Sequence, residues 1–371
     1  MLVIDARKAF DSGIGTYIRA VVPRLLDRLP ATPVRLLVQP GARARLEPLF
    51  GRMPVAWTEV AAPPLGLAEQ AALRRAIPPG ALFWATSLAH PLFWRGRLLA
   101  TVHDVAQLAL PPAHAGGQFV RQASRIYFAS LRQGAEALIF NSAFSRDEFA
   151  RRVGLPRQPT AVTPLGVDPA WFGAEPRPHA QPYFVAVGNV RPHKNLATLL
   201  AAFESVAERL PHQLVIIGQH QGFRTADGAF AAHLERLGDR VRFLGQLPDA
   251  ELRPWVAGAA ALVMPSLYEG FGLPPLEAMA AGCLVLSSDA AALPEACGDA
   301  ALFFDPRQTQ PLAARLLEVA AAPAGTYDAL RARARTRAQA FSWDRTADLT
   351  AAALAPLLGA AAGLHPLARD A

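Results

Sequence analysis

Short apolar runs alternate with longer periodic or polar stretches along this chain. The runs of the first half are Leu2–Ile4, Val34–Val38, Ala81–Ala85, Leu98–Val102 and Ala137–Phe140. Those of the second half are Tyr183–Gly188, Gln213–Gly218, Val241–Gly245, Ala261–Pro265, Cys283–Ser287 and Ala301–Phe304. Continuous apolar runs, without strict alternation, suit strands buried on both faces of a parallel sheet. Between them, apolar positions recur at helical spacing over Ile18–Leu29, Leu196–Leu210, Ala229–Leu237, Ala250–Gly258 and Pro274–Ala281. The alternation predicts an α/β fold with doubly wound parallel sheets.

The rhythm breaks over residues 156–182, where seven prolines from Pro156 to Pro182 crowd the chain and read as a connection between domains. The expected division is an amino-terminal domain over 1–165, a linker over 166–182, a carboxyl-terminal domain over 183–345, and a closing helix and tail over 346–371, free to pack back on the first domain. The uncharged run between Asp348 and Arg369 is alanine-rich and is broken by Pro356, Gly359, Gly363 and Pro366, so it reads as that helix and tail and not as a membrane span.

At 371 residues, two domains that each bury a core are the default. Cys283 and Cys297 are too few for a disulfide framework and match no metal spacing, which points to a reducing cytoplasm. The amino terminus reads directly as a strand, without the pattern of a signal peptide. The formal charge of +7 is uneven: residues 1–165 carry +10 and the remainder −3. Such a basic half suits an anionic partner, such as a lipid diphosphate or the inner face of an anionic membrane, and solubility alone is the plainer reading.

Chemistry concentrates in a few loops. Glu269 and Glu277 flank Gly270, Phe271, Gly272 and Leu273, with Pro274 and Pro275 at a helix start, where missing N–H donors cost little and the free amides attract phosphate. Upstream, Gly188, Asn189, Arg191, His193 and Lys194 follow a strand. Of 37 basic residues only Lys8 and Lys194 are lysines, so a lysine beside a glycine-ended strand suggests that a compact ammonium is wanted there. Gly13 and Gly15 precede a helix and His103 ends a strand. All of these follow predicted strands, the edge where open α/β sheets bind ligands, and they are expected to line one cleft.

Together with Val102-His103-Asp104, Asn141–Ser145, Leu165–Asp168, Leu293-Pro294-Glu295 and Gly298–Ala300, these elements resemble the retaining glycosyltransferases of family 4, across nearly the whole chain. The resemblance implies the GT-B architecture, two facing Rossmann-like domains with a cleft between them. It implies transfer of a sugar, mannose first, from a nucleotide-diphosphate donor such as GDP-mannose to a glycan or lipid-linked hydroxyl in surface polysaccharide assembly. Glu277 would bind the ribose, Glu269 the transferred sugar and Lys194 the leaving phosphate. The Gly270–Leu273 amides would contact sugar and diphosphate, Leu247 would face the base, Gly13 and Gly15 would approach the diphosphate, and His103 would meet the sugar. His103, Glu269 and Lys194 are the expected catalytic set. Many relatives place an arginine immediately before the lysine; here that position is His193, and Arg191, always charged, is the favoured second cation.

No cofactor and no metal are expected, since the sequence has no Asp-x-Asp pair to hold a divalent ion. The alternatives are a nucleotide-sugar epimerase on the same fold, a sugar-nucleotide binder without turnover, and a nucleic-acid binder using the basic half. No reader module or stacking platform supports the last, and nucleic acid is not an expected partner.

Overall fold

The structure, a computed structural model, describes residues 1–51, 53–63, 66–114, 116–219 and 228–359. The chain forms two compact units, Met1–Gly166 with the segment from Ser342 onward, and Val167–Phe341. Residues 360–371 of the expected tail lie outside the described residues. No helix among the described residues is long and apolar enough to cross a membrane.

The first unit is built on seven strands: β1 (Leu2–Asp5), β2 (Val34–Val38), β3 (Val55–Glu59), β4 (Leu82–Ala85), β5 (Leu98–Val102), β6 (Ala137–Phe140) and β7 (Thr160–Val162). All pair in parallel, in the order β3-β2-β1-β4-β5-β6-β7, with Leu2 opposite Val34 and Leu82. Each of β1, β4, β5 and β6 is buried along its whole length, which explains their uninterrupted apolar sequences.

Two strands escape the apolar-run pattern because they form the sheet's edges. The sequence of β3, Val-Ala-Trp-Thr-Glu, is mixed because the strand is half exposed. β7 lies inside the proline-crowded interval that reads as connection. It is only three residues long and edge-placed, so nearby Pro159 and Pro164 cost it little pairing.

The chain returns to this unit through the helix Trp343–Leu358, which packs along the helix Ser12–Arg28. Arg28 pairs with Asp348 and, at 3.3 Å, with Asp344. Thr346 and Thr350 are buried beneath, and the Thr346 hydroxyl donates to the Pro164 carbonyl at 2.7 Å. Gly166 sits where the strands end and the helix begins: a β-carbon there would lie 2.1 Å from the Trp343 nitrogen.

The second unit has six strands, β8 (Tyr183–Val187), β9 (Gln213–Ile217), β10 (Val241–Gly245), β11 (Ala261–Met264), β12 (Val285–Ser288) and β13 (Leu302–Phe304), again all parallel, in the order β10-β9-β8-β11-β12-β13. The helix Leu196–Val206 lays Leu199, Leu200 and Phe203 on one face of the sheet, against Phe184, Leu214 and Ile216. Both cysteines are buried here, and burial pushes their thiols up to about 12, so they behave as small apolar residues.

Strand order reverses between β1 and β4 in the first unit and between β8 and β11 in the second. At such a point the flanking loops diverge and leave a crevice at the carboxyl edge of the sheet.

Gly166→Ala is expected to destabilise the protein by roughly 2–4 kcal/mol, because a backbone atom blocks the methyl and no side chain can yield. Thermal unfolding would show it as a lowered melting temperature; an unchanged one would mean that the crossing relaxes freely.

Candidate active site

In the second unit the two loops beside the strand-order reversal carry most of the expected residues. The loop after β8 runs from Gly188 to Asn195 and closes in a short 3-10 turn, Pro192–Lys194. The loop after β11 runs from Pro265 to Gly272 and feeds the helix Leu273–Ala280. They are stitched together by Leu267 N–H donating to the His193 carbonyl at 2.8 Å. Across this stitch Lys194 Nζ meets Glu269 Oε1 at 2.8 Å, both side chains mostly buried. The lysine stem also lies against Gly188, 3.5 Å from where a β-carbon would stand, and lines a small recess with Met264, Pro265 and Ser266.

Asn195 has no role in the sequence reading, yet it fixes this geometry. It adopts a left-handed conformation, φ 56°. Its amide nitrogen donates to the carbonyls of Pro265 at 3.0 Å and Pro306 at 2.7 Å, and its oxygen accepts from the Thr198 hydroxyl. One side chain thus ties the lysine turn to the segments after β11 and β13. An asparagine immediately before an apolar periodic segment was the signal for it.

Gly272 caps the helix Leu273–Ala280 at φ 113°, and a β-carbon there would meet the Leu293 side chain at 2.8 Å. Phe271 is buried edge-on to Phe341, which anchors the loop. Glu277 stands in the second turn of that helix. Burial raises its carboxyl to about 8, Asp249 and Asp168 add repulsion, and Arg253 offsets part of this. Sequence reasoning missed these three neighbours, since Asp168 is a turn cap whose carboxylate accepts from Ala170 N–H.

The other expected ligand-binding residues of this unit lie at the same edge. Asn189 accepts from Gln219 N–H at 3.3 Å, and Leu247 follows β10 half-buried. Arg191 is exposed and forms no ion pair among the described residues.

In the first unit Gly13 and Gly15 are not in a loop: the helix begins at Ser12 and takes both into its first turn. Glycine reads as a loop former, but a first turn tolerates it, and at position 15 it is needed, because a β-carbon would lie 2.7 Å from the Ala9 carbonyl oxygen. Gly13 is open to solvent. His103 directly follows β5, with Nε2–H donating to the Thr86 carbonyl at 2.9 Å and its ring edge-on to Tyr17. Burial, and more weakly the charge of Lys8, lower its pKa to about 4 against the hydrogen bond's pull, so the ring is neutral and Nδ1 is an acceptor. Its own carbonyl already accepts the Ser145 hydroxyl at 3.0 Å.

The folded pKa of Glu277 lies above its ordinary 4.5, so the stability this group contributes is complete below about pH 4.5 and is lost as pH rises through about 8. Glu277→Gln, which cannot ionise, is expected to match the parent's stability near pH 4 and to exceed it near pH 9 by roughly 1–3 kcal/mol, allowing for partial solvent access. Melting curves at the two pH values check this; equal differences at both would refute the shift.

The sequence matches two family models, one described as glycosyltransferase family 4 over residues 13–171, the other as glycosyl transferases group 1 over residues 167–340. It is 31% identical over 263 residues to O-antigen chain mannosyltransferase B of Escherichia coli, covering 67% of each chain. It is 30% identical over 276 residues to a glycogen synthase of Mycobacterium tuberculosis, covering 71% of this chain and 65% of that one. Among solved structures it resembles HepE of Anabaena in complex with UDP-glucose, with TM-score 0.76, 18% identity and coverage of 95% and 98%. The chain therefore belongs to the family 4, group 1 glycosyltransferases and has their GT-B fold.

Proposed function

We propose that this glycosyltransferase moves a mannosyl residue from GDP-mannose to a hydroxyl of a glycan or lipid-linked acceptor, with retention at the anomeric carbon and without a metal. The observation that carries the reading is the Lys194–Glu269 pair at the strand-order reversal of the second unit. Each charge is held by the other. A diphosphate takes over the ammonium and releases the carboxylate to sugar hydroxyls, so donor binding assembles the site. Negative charge grows on the leaving phosphate as the glycosidic bond breaks, and a fixed ammonium there stabilises the transition state more than the ground state.

Arg191 supplies the second cation, and the amides of Gly270–Leu273 complete the anion site. Glu277, largely protonated at neutral pH, has a proton to donate to one ribose oxygen and lone pairs to accept from another. Leu247 lies against the base. In the first unit Gly13 and Gly15 let a helix start approach the diphosphate, and neutral His103 accepts from a sugar hydroxyl at Nδ1. In front-face attack the departing phosphate oxygen takes the acceptor's proton, so no protein base is needed and orientation supplies much of the rate. Mannose is favoured by the likeness to the Escherichia coli mannosyltransferase. The basic first half suits peripheral contact with an anionic membrane on the cytoplasmic side.

In a thermal-shift panel of GDP, UDP, ADP and dTDP, GDP is expected to raise the melting temperature most, by the equivalent of about 2.7 kcal/mol at a hundredfold excess over Kd, and Lys194→Ala should abolish the gain. A shift with UDP alone would replace the donor assignment. Glu269→Ala should lower transfer by at least about a hundredfold while the fold, followed by circular dichroism, persists; unchanged transfer would remove Glu269 from the mechanism. Proton NMR of the product's anomeric signal reads retention.

A further inference from the structure

In the second unit, two short helices are joined at their starts and gripped at their far ends. The helix Leu273–Ala280 begins at the Gly270–Leu273 loop, and the helix Leu293–Cys297 begins against the same loop. Ala292 N–H donates to the Glu269 carbonyl at 3.3 Å, and the Leu293 side chain occupies the space over Gly272. Ala291, in the turn that leads from β12 to the second of these helices, is held at φ 56°. A residue with a β-carbon adopts that left-handed conformation at a cost, so the contacts around the turn impose it.

The far ends of both helices meet the helix Asp328–Gln339. Arg335 donates to the Ala280 carbonyl at 2.8 Å and to the Phe172 carbonyl at 2.6 Å. Arg337 donates to the carbonyls of Ala296 at 3.0 Å and Glu295 at 2.7 Å. The last carbonyls of a helix have no partner within it, and a cation there also complements the negative end of the peptide dipoles. Positions two apart on a helix point roughly 200° apart around its axis, so one helix can serve two neighbours at once. Arg337 also lies 4.8 Å over the Phe341 ring, and that ring is edge-on to Phe271 of the loop, with centres 5.7 Å apart. Both arginines are half-buried, whereas Arg333 of the same helix is exposed.

We infer that Arg335 and Arg337 are positioning residues for sugar transfer. By gripping the far ends of two helices they fix the height and tilt of the loop that carries Glu269 and the Gly270–Leu273 amides. An anion site made of main-chain amides has no flexible side chain to absorb an error, and a misplacement of about 1 Å can cost a hundredfold in rate. The inference rests on the donor site proposed above; the arginines themselves touch carbonyls and a ring, not the donor.

Hydrogen exchange and steady-state kinetics on the full chain test it, with Arg335→Gln, Arg337→Gln, Arg337→Lys and, as the control, Arg333→Gln. In both glutamine variants, peptides spanning 266–277 are expected to exchange at least about fivefold faster than in the parent, while peptides of the first unit keep their rates. Turnover of GDP-mannose to GDP is expected to show a KM raised at least about fivefold and a lowered kcat, with Arg337→Lys recovering part of both, since lysine keeps the charge. UDP-glucose replaces GDP-mannose where UDP is the nucleotide that stabilises the parent. Arg333→Gln should match the parent throughout. A purely structural role lowers the apparent kcat with the folded fraction and leaves KM in place. Unchanged exchange in both glutamine variants, or faster exchange with an unchanged KM, would overturn the proposal. A parent that binds neither GDP nor UDP would instead overturn the donor reading, and the exchange rates would then decide alone whether the arginines hold the loop.

Discussion

Every strand in both sheets runs parallel to its neighbours, so each connection must carry the chain back across a face before the next strand begins, and every loop that follows a strand emerges at the same edge. The functional layout depends on that constraint. Residues far apart in sequence, such as Lys194 and Glu269, reach one another because β8 and β11 are neighbours on either side of the point where strand order reverses. An antiparallel arrangement of the same segments would send alternate loops to opposite ends.

Within that frame, electrostatics distinguishes the residues by their company. Lys194 and Glu269 are mostly buried as a pair, so neither bears the full cost of desolvation alone. Glu277, eight residues further along in the helix that follows, has no such ion-pair partner among the described residues and faces Asp249 and Asp168, so it retains its proton to about pH 8. The two acids of one sequence element therefore differ by their company: one is paired with a lysine, the other is buried beside two carboxylates.

The first unit repeats the logic with different chemistry. Its strand-end groups are quieter: His103 is kept neutral and fastened to Thr86, while Arg7 is consumed by Asp5 and Glu69.

Much of this was legible in the sequence. The buried central strands announce themselves as apolar runs, because a strand covered on both faces has no solvent side to encode. The run from Tyr268 to Glu277 marks the loop and helix start, and Lys194 stands out as one of two lysines. The edge strands β3 and β7 were hidden, because an edge tolerates polar residues and nearby prolines. Gly13 and Gly15 misled, because glycine in a helix's first turn looks like a loop until the Ala9 carbonyl is seen against it. Periodicity, glycines and residue chemistry, which are local, determined the elements, the family motifs and the candidate residues. Only the tertiary structure decided that Lys194 pairs with Glu269, that Asn195 ties three segments, that Glu277 keeps its proton and that Arg7 is spoken for. Pairing and desolvation arise from neighbours brought together across tens to a hundred positions, and that proximity belongs to the fold and not to any stretch of chain.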